Sequence, residues 1–157
     1  MSTMPSSRRG LLAGAAALGG LSLLGGCASI GQGPVIGRVV VIGGGFGGST
    51  AARYLRLWGG NVDVTLVDRN PQFISCPISN LVVGGFKQMA DITRGYQGLQ
   101  ALGVKVLQGE VVAIDAAGRK VRLADGRELA YDRLIVSPGI DFMAEQVGGM
   151  TAAFERG

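Results

Sequence analysis

The 157-residue sequence contains no histidine and only two cysteines, Cys27 and Cys76. With no imidazole and a single thiol beyond the N-terminal segment, a zinc site or a disulfide framework within this chain has no basis. Runs of one charge are also missing. Basic residues are scattered among acids, and aromatics are only 6% of the chain, so nucleic-acid binding has no support. The first 28 residues hold two arginines and no acid, and their removal takes the net charge from +4 to +2, too little to argue for an electrostatic partner. Internal repeats are absent.

What the N-terminus does hold is an apolar run over residues 11–24, broken only by glycine, alanine and Ser22. It is too short and too glycine-rich for a permanent span, which needs about 20 mainly apolar residues, and it reads as an export signal over residues 1–28. Ser7-Arg8-Arg9-Gly10-Leu11-Leu12 resembles the twin-arginine motif, whose pathway carries proteins that fold and take up cofactor before crossing the membrane. The resemblance implies a periplasmic protein; a general secretory signal is the alternative. Leu24-Gly25-Gly26-Cys27 resembles a lipobox, which makes Cys27 the acceptor of a lipid anchor, while ordinary cleavage after Ala28 satisfies the same small residues. Residues 29–37, rich in glycine with one proline, form a linker.

The strongest motif follows. Arg38 leads into an apolar run over residues 39–42, residues 43–48 read Gly-Gly-Gly-Phe-Gly-Gly, and a small-residue helix begins immediately after. Gly43, Gly45 and Gly48 occupy the three positions of G-x-G-x-x-G, with Phe46 and Gly47 between them. In that pattern one glycine makes a tight turn, one lets the backbone approach a pyrophosphate, and one allows close helix–strand contact. A helix N-terminus offers free N–H groups and the positive end of a dipole, so the loop needs no lysine. Asp68 ends the next apolar run, 25 residues after Gly43, at the spacing of a β-α-β unit, and can accept hydrogen bonds from ribose hydroxyls.

Beyond this unit, Ile92, Tyr96, Leu99 and Leu102 recur at helical spacing, predicting a helix over residues 91–102 closed by Gly103. Strand patterns at 104–107, 111–114, 120–123 and 128–131, with turns at 116–118 and 125–126, predict a β-meander. Residues 133–137 predict another strand, ended by Pro138-Gly139. The final segment, 141–157, shows no clear element. Few helices are visible, although a parallel sheet normally needs both faces covered.

The segment Tyr131-Asp132-Arg133-Leu134-Ile135-Val136-Ser137-Pro138-Gly139 resembles the Y-D-x-L-[IV]-[AS]-x-G stretch of two-dinucleotide flavoproteins, which implies that Pro138 and Gly139 pass close to FAD; a plain buried strand is the alternative. Together with Gly43 to Gly48, Asp68, Gly95-Tyr96 and Phe73-Ile74-Ser75-Cys76-Pro77-Ile78, it resembles the flavoprotein subunit of flavocytochrome c sulfide dehydrogenase over residues 38–157. The resemblance implies an α/β, Rossmann-like FAD-binding domain whose parallel sheet carries an inserted β-meander. It also implies that this chain is the N-terminal part of that domain, incomplete at the C-terminus, with a second nucleotide domain and a C-terminal domain beyond residue 157. In the family the cysteine matching Cys76 forms a thioether to the 8α-methyl carbon of FAD, and Pro77 is expected to hold the local backbone extended. A buried, inert cysteine is the alternative. The implied chemistry passes electrons from sulfide through a disulfide and FAD to a c-type cytochrome subunit. Both cysteines of that disulfide lie beyond residue 157 in the family pattern, so no catalytic residue is expected here. A quinone- or NAD(P)H-linked FAD oxidoreductase, or a truncated nucleotide-binding fragment without activity, would carry the same fingerprint.

Overall fold

Three consecutive valines, Val39, Val40 and Val41, are the centre of β1 (Gly37–Ile42), and all three are buried. β-branched side chains suit a strand with both faces covered. Our computed structural model describes residues 33–140 and 143–156. The expected export signal and Cys27 lie outside the described residues.

From β1 the chain turns through the glycines into helix α1 (Phe46–Trp58) and returns as β2 (Val62–Asp68). A short strand β3 (Gln72–Ile74), a 3-10 turn (Cys76–Ile78), and short helices α2 (Ser79–Val83) and α3 (Met89–Ile92) follow. Then come β4 (Thr93–Gly95), helix α4 (Gln97–Ala101) and β5 (Lys105–Gln108). Strands β6 (Val111–Asp115), β7 (Lys120–Leu123) and β8 (Glu128–Ala130) precede β9 (Arg133–Val136). The described sheet has the order β5-β2-β1-β9, with every pairing parallel, and Val39–Ile42 aligned on Val64–Val67 and on Arg133–Val136.

Alternation along β1 sends side chains to two separate cores. Val39 and Val41 pack with Ala52 of α1, Val64, Leu66 and Tyr96. Val40 and Ile42 pack on the other side with Val121, Leu123 and Tyr131. The second face of the parallel sheet is therefore covered by the antiparallel sheet β6-β7-β8 instead of by helices, which answers the shortage of helices in the sequence.

The α/β class and the inserted meander match expectation, with three corrections. Residues 105–108 do not open the meander; they form β5 of the parallel sheet, paired with Thr65–Asp68. Val106 packs into one core and Leu107 into the other, and a strand apolar on both sides belongs in the doubly covered layer, whereas β7 buries only Val121 and Leu123. The helix expected over 91–102 is interrupted. Thr93–Gly95 pairs antiparallel with Gln72–Ile74, and the Ser75 amide extends the ladder onto the Ile92 carbonyl at 2.8 Å. Gly95 is a poor interior helix residue and Thr93 is β-branched, so pairing with β3 prevails over the periodicity. Ile92, Tyr96 and Leu99 still face the interior, which is what their spacing recorded. Gly103 does close α4 as expected: at φ +82° it donates to Gln100, and Val104 donates to Leu99, a Schellman ending. Finally, the tail holds a 3-10 turn (Ala144–Gln146) and helix α5 (Met150–Glu155) where no element was expected.

Candidate functional site

The glycine turn sits where β1 ends, held by the Gly43 amide donating to the Val67 carbonyl and the Ser137 amide donating to the Ile42 carbonyl, both at 2.8 Å. Each glycine can be asked what a side chain would meet. At Gly43, φ is +94° and a Cβ would strike the Ser137 carbonyl. At Gly48 it would strike the Gly43 carbonyl, which is the close helix–strand approach expected of the third glycine. At Gly44 it would strike the Tyr96 hydroxyl, and at Gly47 it would lie 2.7 Å from Ser137 Oγ. Gly45 differs: its nearest neighbour would be the Phe73 ring at an ordinary 3.7 Å, and its φ of −67° is open to any residue. Nothing in the protein itself requires glycine there.

Gly45 is also the N-cap of α1, with no side-chain cap. The Ser49 amide donates to the Gly45 carbonyl at 2.9 Å, and Ser49 Oγ donates to the Gly44 carbonyl at 2.7 Å. The first-turn amides before Ser49 have no carbonyl one turn back inside the helix, and they are the groups an anion would meet. Gly45 and Phe46 open a cleft of about 670 Å³ that runs along Ser49 and Arg53 of α1 and is bounded opposite by Phe73, Arg94 and Tyr96. The Phe46 and Phe73 rings meet edge to face at 4.8 Å and tie the helix start to β3.

Asp68 is bound into this turn. Its Oδ2 accepts from the Gly44 amide at 2.5 Å and its Oδ1 from the Asn70 amide at 2.7 Å. Tyr96, 7% exposed, lies beside this turn; burial first, then the negative charge of Asp68, push the phenol pKa up to about 12.

The structure thus brings Gly43, Gly45, Gly48 and Asp68 together with the 137–138 corner, where Pro138 Cα would lie 3.2 Å from a Cβ at Gly43. Within the 131–139 motif, Tyr131 belongs to the meander core and the Asp132 carboxylate accepts from the Arg38 amide at 2.7 Å, so both serve the fold. Gly139 takes φ +81° with open space around it. Cys76 is neither buried nor extended: it is exposed and opens the 3-10 turn, because Pro77 is tolerated in a first turn, where its missing N–H is not needed. Its neighbours Ser75 and Ile78 line the cleft that begins at Gly45, and Cys76 itself does not. Sequence reasoning missed what Gly44, Tyr96 and Ser137 do. For Tyr96 the available signal was Gly95 beside it, a helix-weakening residue inside an expected helix.

The sequence matches the pyridine nucleotide-disulphide oxidoreductase family over residues 37–155. It is 40% identical over 106 residues to ferroptosis suppressor protein 1 of Taeniopygia guttata, covering 66% of this chain and 27% of that protein. It is 53% identical over 45 residues to the sulfide dehydrogenase [flavocytochrome c] flavoprotein chain of Chlorobaculum thiosulfatiphilum, covering 29% of this chain and 94% of that sequence. In structure it is similar to the sulfide:quinone oxidoreductase of Aquifex aeolicus, with a TM-score of 0.61 and 26% identity over 68% of this chain and 25% of that one. The chain spans about a quarter of the length of the first and third of these proteins. The cofactor these relatives support is FAD. With a family match that takes in the glycine turn, Asp68 and β9 alike, the chain belongs to the pyridine nucleotide-disulphide oxidoreductase family.

Proposed function

We propose that this chain is the FAD-binding part of an exported flavoprotein oxidoreductase that passes electrons from sulfide to a c-type cytochrome. The observation that supports cofactor binding most directly is Gly45, a half-buried glycine at a helix N-terminus whose missing side chain leaves space toward a cleft and not toward the protein. The α1 amides would hold the pyrophosphate, Asp68 would accept from a ribose hydroxyl, and the 137–139 corner would lie beside the rest of the cofactor. Bound FAD supplies two-electron acceptance with one-electron release, which suits a cytochrome as acceptor. Exposed Cys76, next to the cleft-lining Ser75, would tether it through Sγ.

Sulfide and cytochrome as reaction partners are supported by the likeness to the flavocytochrome c flavoprotein chain. A quinone acceptor is the second reading, favoured by the likeness to the Aquifex enzyme. Turnover of the protein with sulfide and cytochrome c, compared with quinone or NADH, separates them; sulfide oxidation with quinone alone would replace the first reading by the second. Denaturation in acid tests the tether, since release of all FAD would end the covalent assignment. Export by the twin-arginine route, with Cys27 as a lipid acceptor, belongs to the same proposal. Arg8→Lys with Arg9→Lys should keep the chain out of the periplasm, and unchanged export would refute that route.

A further inference from the structure

We propose that Ser137 is a binding residue of the dinucleotide site: its hydroxyl, seated against the first turn of α1, donates to the cofactor pyrophosphate beside the free helix amides. The inference rests on the FAD-binding reading above and adds a side chain that the glycine fingerprint does not contain.

The observation that carries it is Gly47, a glycine outside the three positions of the fingerprint. Glycine weakens a helix relative to alanine, so its place in the first turn of α1 calls for a reason. The backbone does not supply one, because Gly47 is not among the glycines at positive φ. Outside its own helix, a Cβ at Gly47 would meet two atoms within 4 Å, Ser137 Oγ at 2.7 Å and Ser137 Cβ at 3.9 Å. The missing side chain therefore makes room for one group, the Ser137 hydroxyl.

Ser137 is held in place to use that room. Its amide donates to the Ile42 carbonyl at 2.8 Å, its carbonyl fills the space a Cβ at Gly43 would need, and Pro138 after it keeps its backbone extended. The direction of its side chain is thereby set. Ser137 is half-buried, and among the described residues its hydroxyl makes no hydrogen bond. No buried side-chain nitrogen or oxygen of the described residues lacks a partner, so this unpaired hydroxyl is open to solvent and within reach of a ligand. Its surroundings decide what that ligand offers. The first-turn amides of α1, Gly47 included, have no acceptor inside the helix and stand at the positive end of its dipole. Amides and a hydroxyl donating into one place suit a group rich in acceptor oxygens, which in a dinucleotide is the pyrophosphate. Asp68, by contrast, is already engaged by the Gly44 and Asn70 amides at the end of β2.

Ser137→Ala removes the hydroxyl and keeps the backbone. FAD binding to the full chain, followed by flavin fluorescence, should weaken about tenfold, the scale of one lost hydrogen bond to a charged group. Competitors place the loss. The inhibition constant of inorganic pyrophosphate against FAD should rise about tenfold, while that of adenosine, which has no phosphate, should stay within about twofold. The urea midpoint of the cofactor-free chain should not move. A hydroxyl that merely supports the turn would lower that midpoint and weaken both competitors alike. Gly47→Ala, which turns the hydroxyl away, should weaken FAD about tenfold in the parent and less than about twofold in Ser137→Ala, because the group it displaces is already gone. Unchanged FAD affinity in Ser137→Ala, equal losses for pyrophosphate and adenosine, or equal effects of Gly47→Ala in the two backgrounds would each overturn the proposal. If the parent chain takes up no FAD at all, the cofactor reading fails and this inference with it, whereas uptake that Ser137→Ala leaves untouched fails the inference alone.

Discussion

The Gly44 amide donates to the Asp68 carboxylate at 2.5 Å, so the end of β2 closes directly onto the glycine turn at the end of β1. The two halves of the fingerprint are one hydrogen-bonded unit before any ligand is considered. This makes the glycines separable by experiment.

Gly43→Ala and Gly48→Ala should act on the fold. The first forces a side chain into positive φ and onto the Ser137 carbonyl, and the second onto the Gly43 carbonyl, each costing more than about 2 kcal/mol in urea unfolding. Gly45→Ala meets only the Phe73 ring at 3.7 Å and should cost under about 1 kcal/mol, the scale of an N-cap change, while FAD affinity falls roughly tenfold or more. Equal stability losses at all three positions would contradict the division of roles.

Cys76→Ser should leave the unfolding free energy within about 0.5 kcal/mol of the parent, since the side chain is exposed. It should abolish acid-stable flavin. Mass spectrometry of the peptide holding Cys76 reads both chains directly.

Alkaline stability should report Tyr96. Its pKa is raised in the fold from 10.0 to about 12, so the folded chain keeps a proton that the unfolded chain loses. The associated stability is complete below pH 10 and is lost as pH rises to about 12. Over that window the folding equilibrium constant should fall by up to about tenfold per pH unit more in the parent than in Tyr96→Phe. Parallel curves for the two proteins would show that the phenol is not held as described.

Leu123→Ala should destabilise by about 2–5 kcal/mol, as a fully buried leucine does, because the meander is the second cover of the parallel sheet. A loss below about 1 kcal/mol would mean the meander is a detachable appendage.

Much of this architecture was legible because each signal was local. The glycine spacing, the valine run and Gly103 each need only their neighbours to act, and all three appear where the pattern places them. The misread parts depend on partners far along the chain. Thr93–Gly95 is a strand only because Gln72–Ile74 lies beside it, and Lys105–Gln108 joins the parallel sheet only because β2 offers an edge. Tyr96 shows the same limit in the site. Its spacing marked it correctly as interior, but the carboxylate whose charge acts on it is 28 positions earlier and reaches it only through the fold.

Because β1 is apolar toward both cores, hydrophobicity by itself does not penalise sliding this strand by one residue between β2 and β9. The sliding is blocked at its ends. Arg38 is latched by its amide to the Asp132 carboxylate at one end, and at the other the Gly43 amide reaches Val67 while Ile42 receives Ser137. The glycine turn is therefore also a stop that sets strand alignment, and any change that loosens it should scramble the sheet before it empties the cleft.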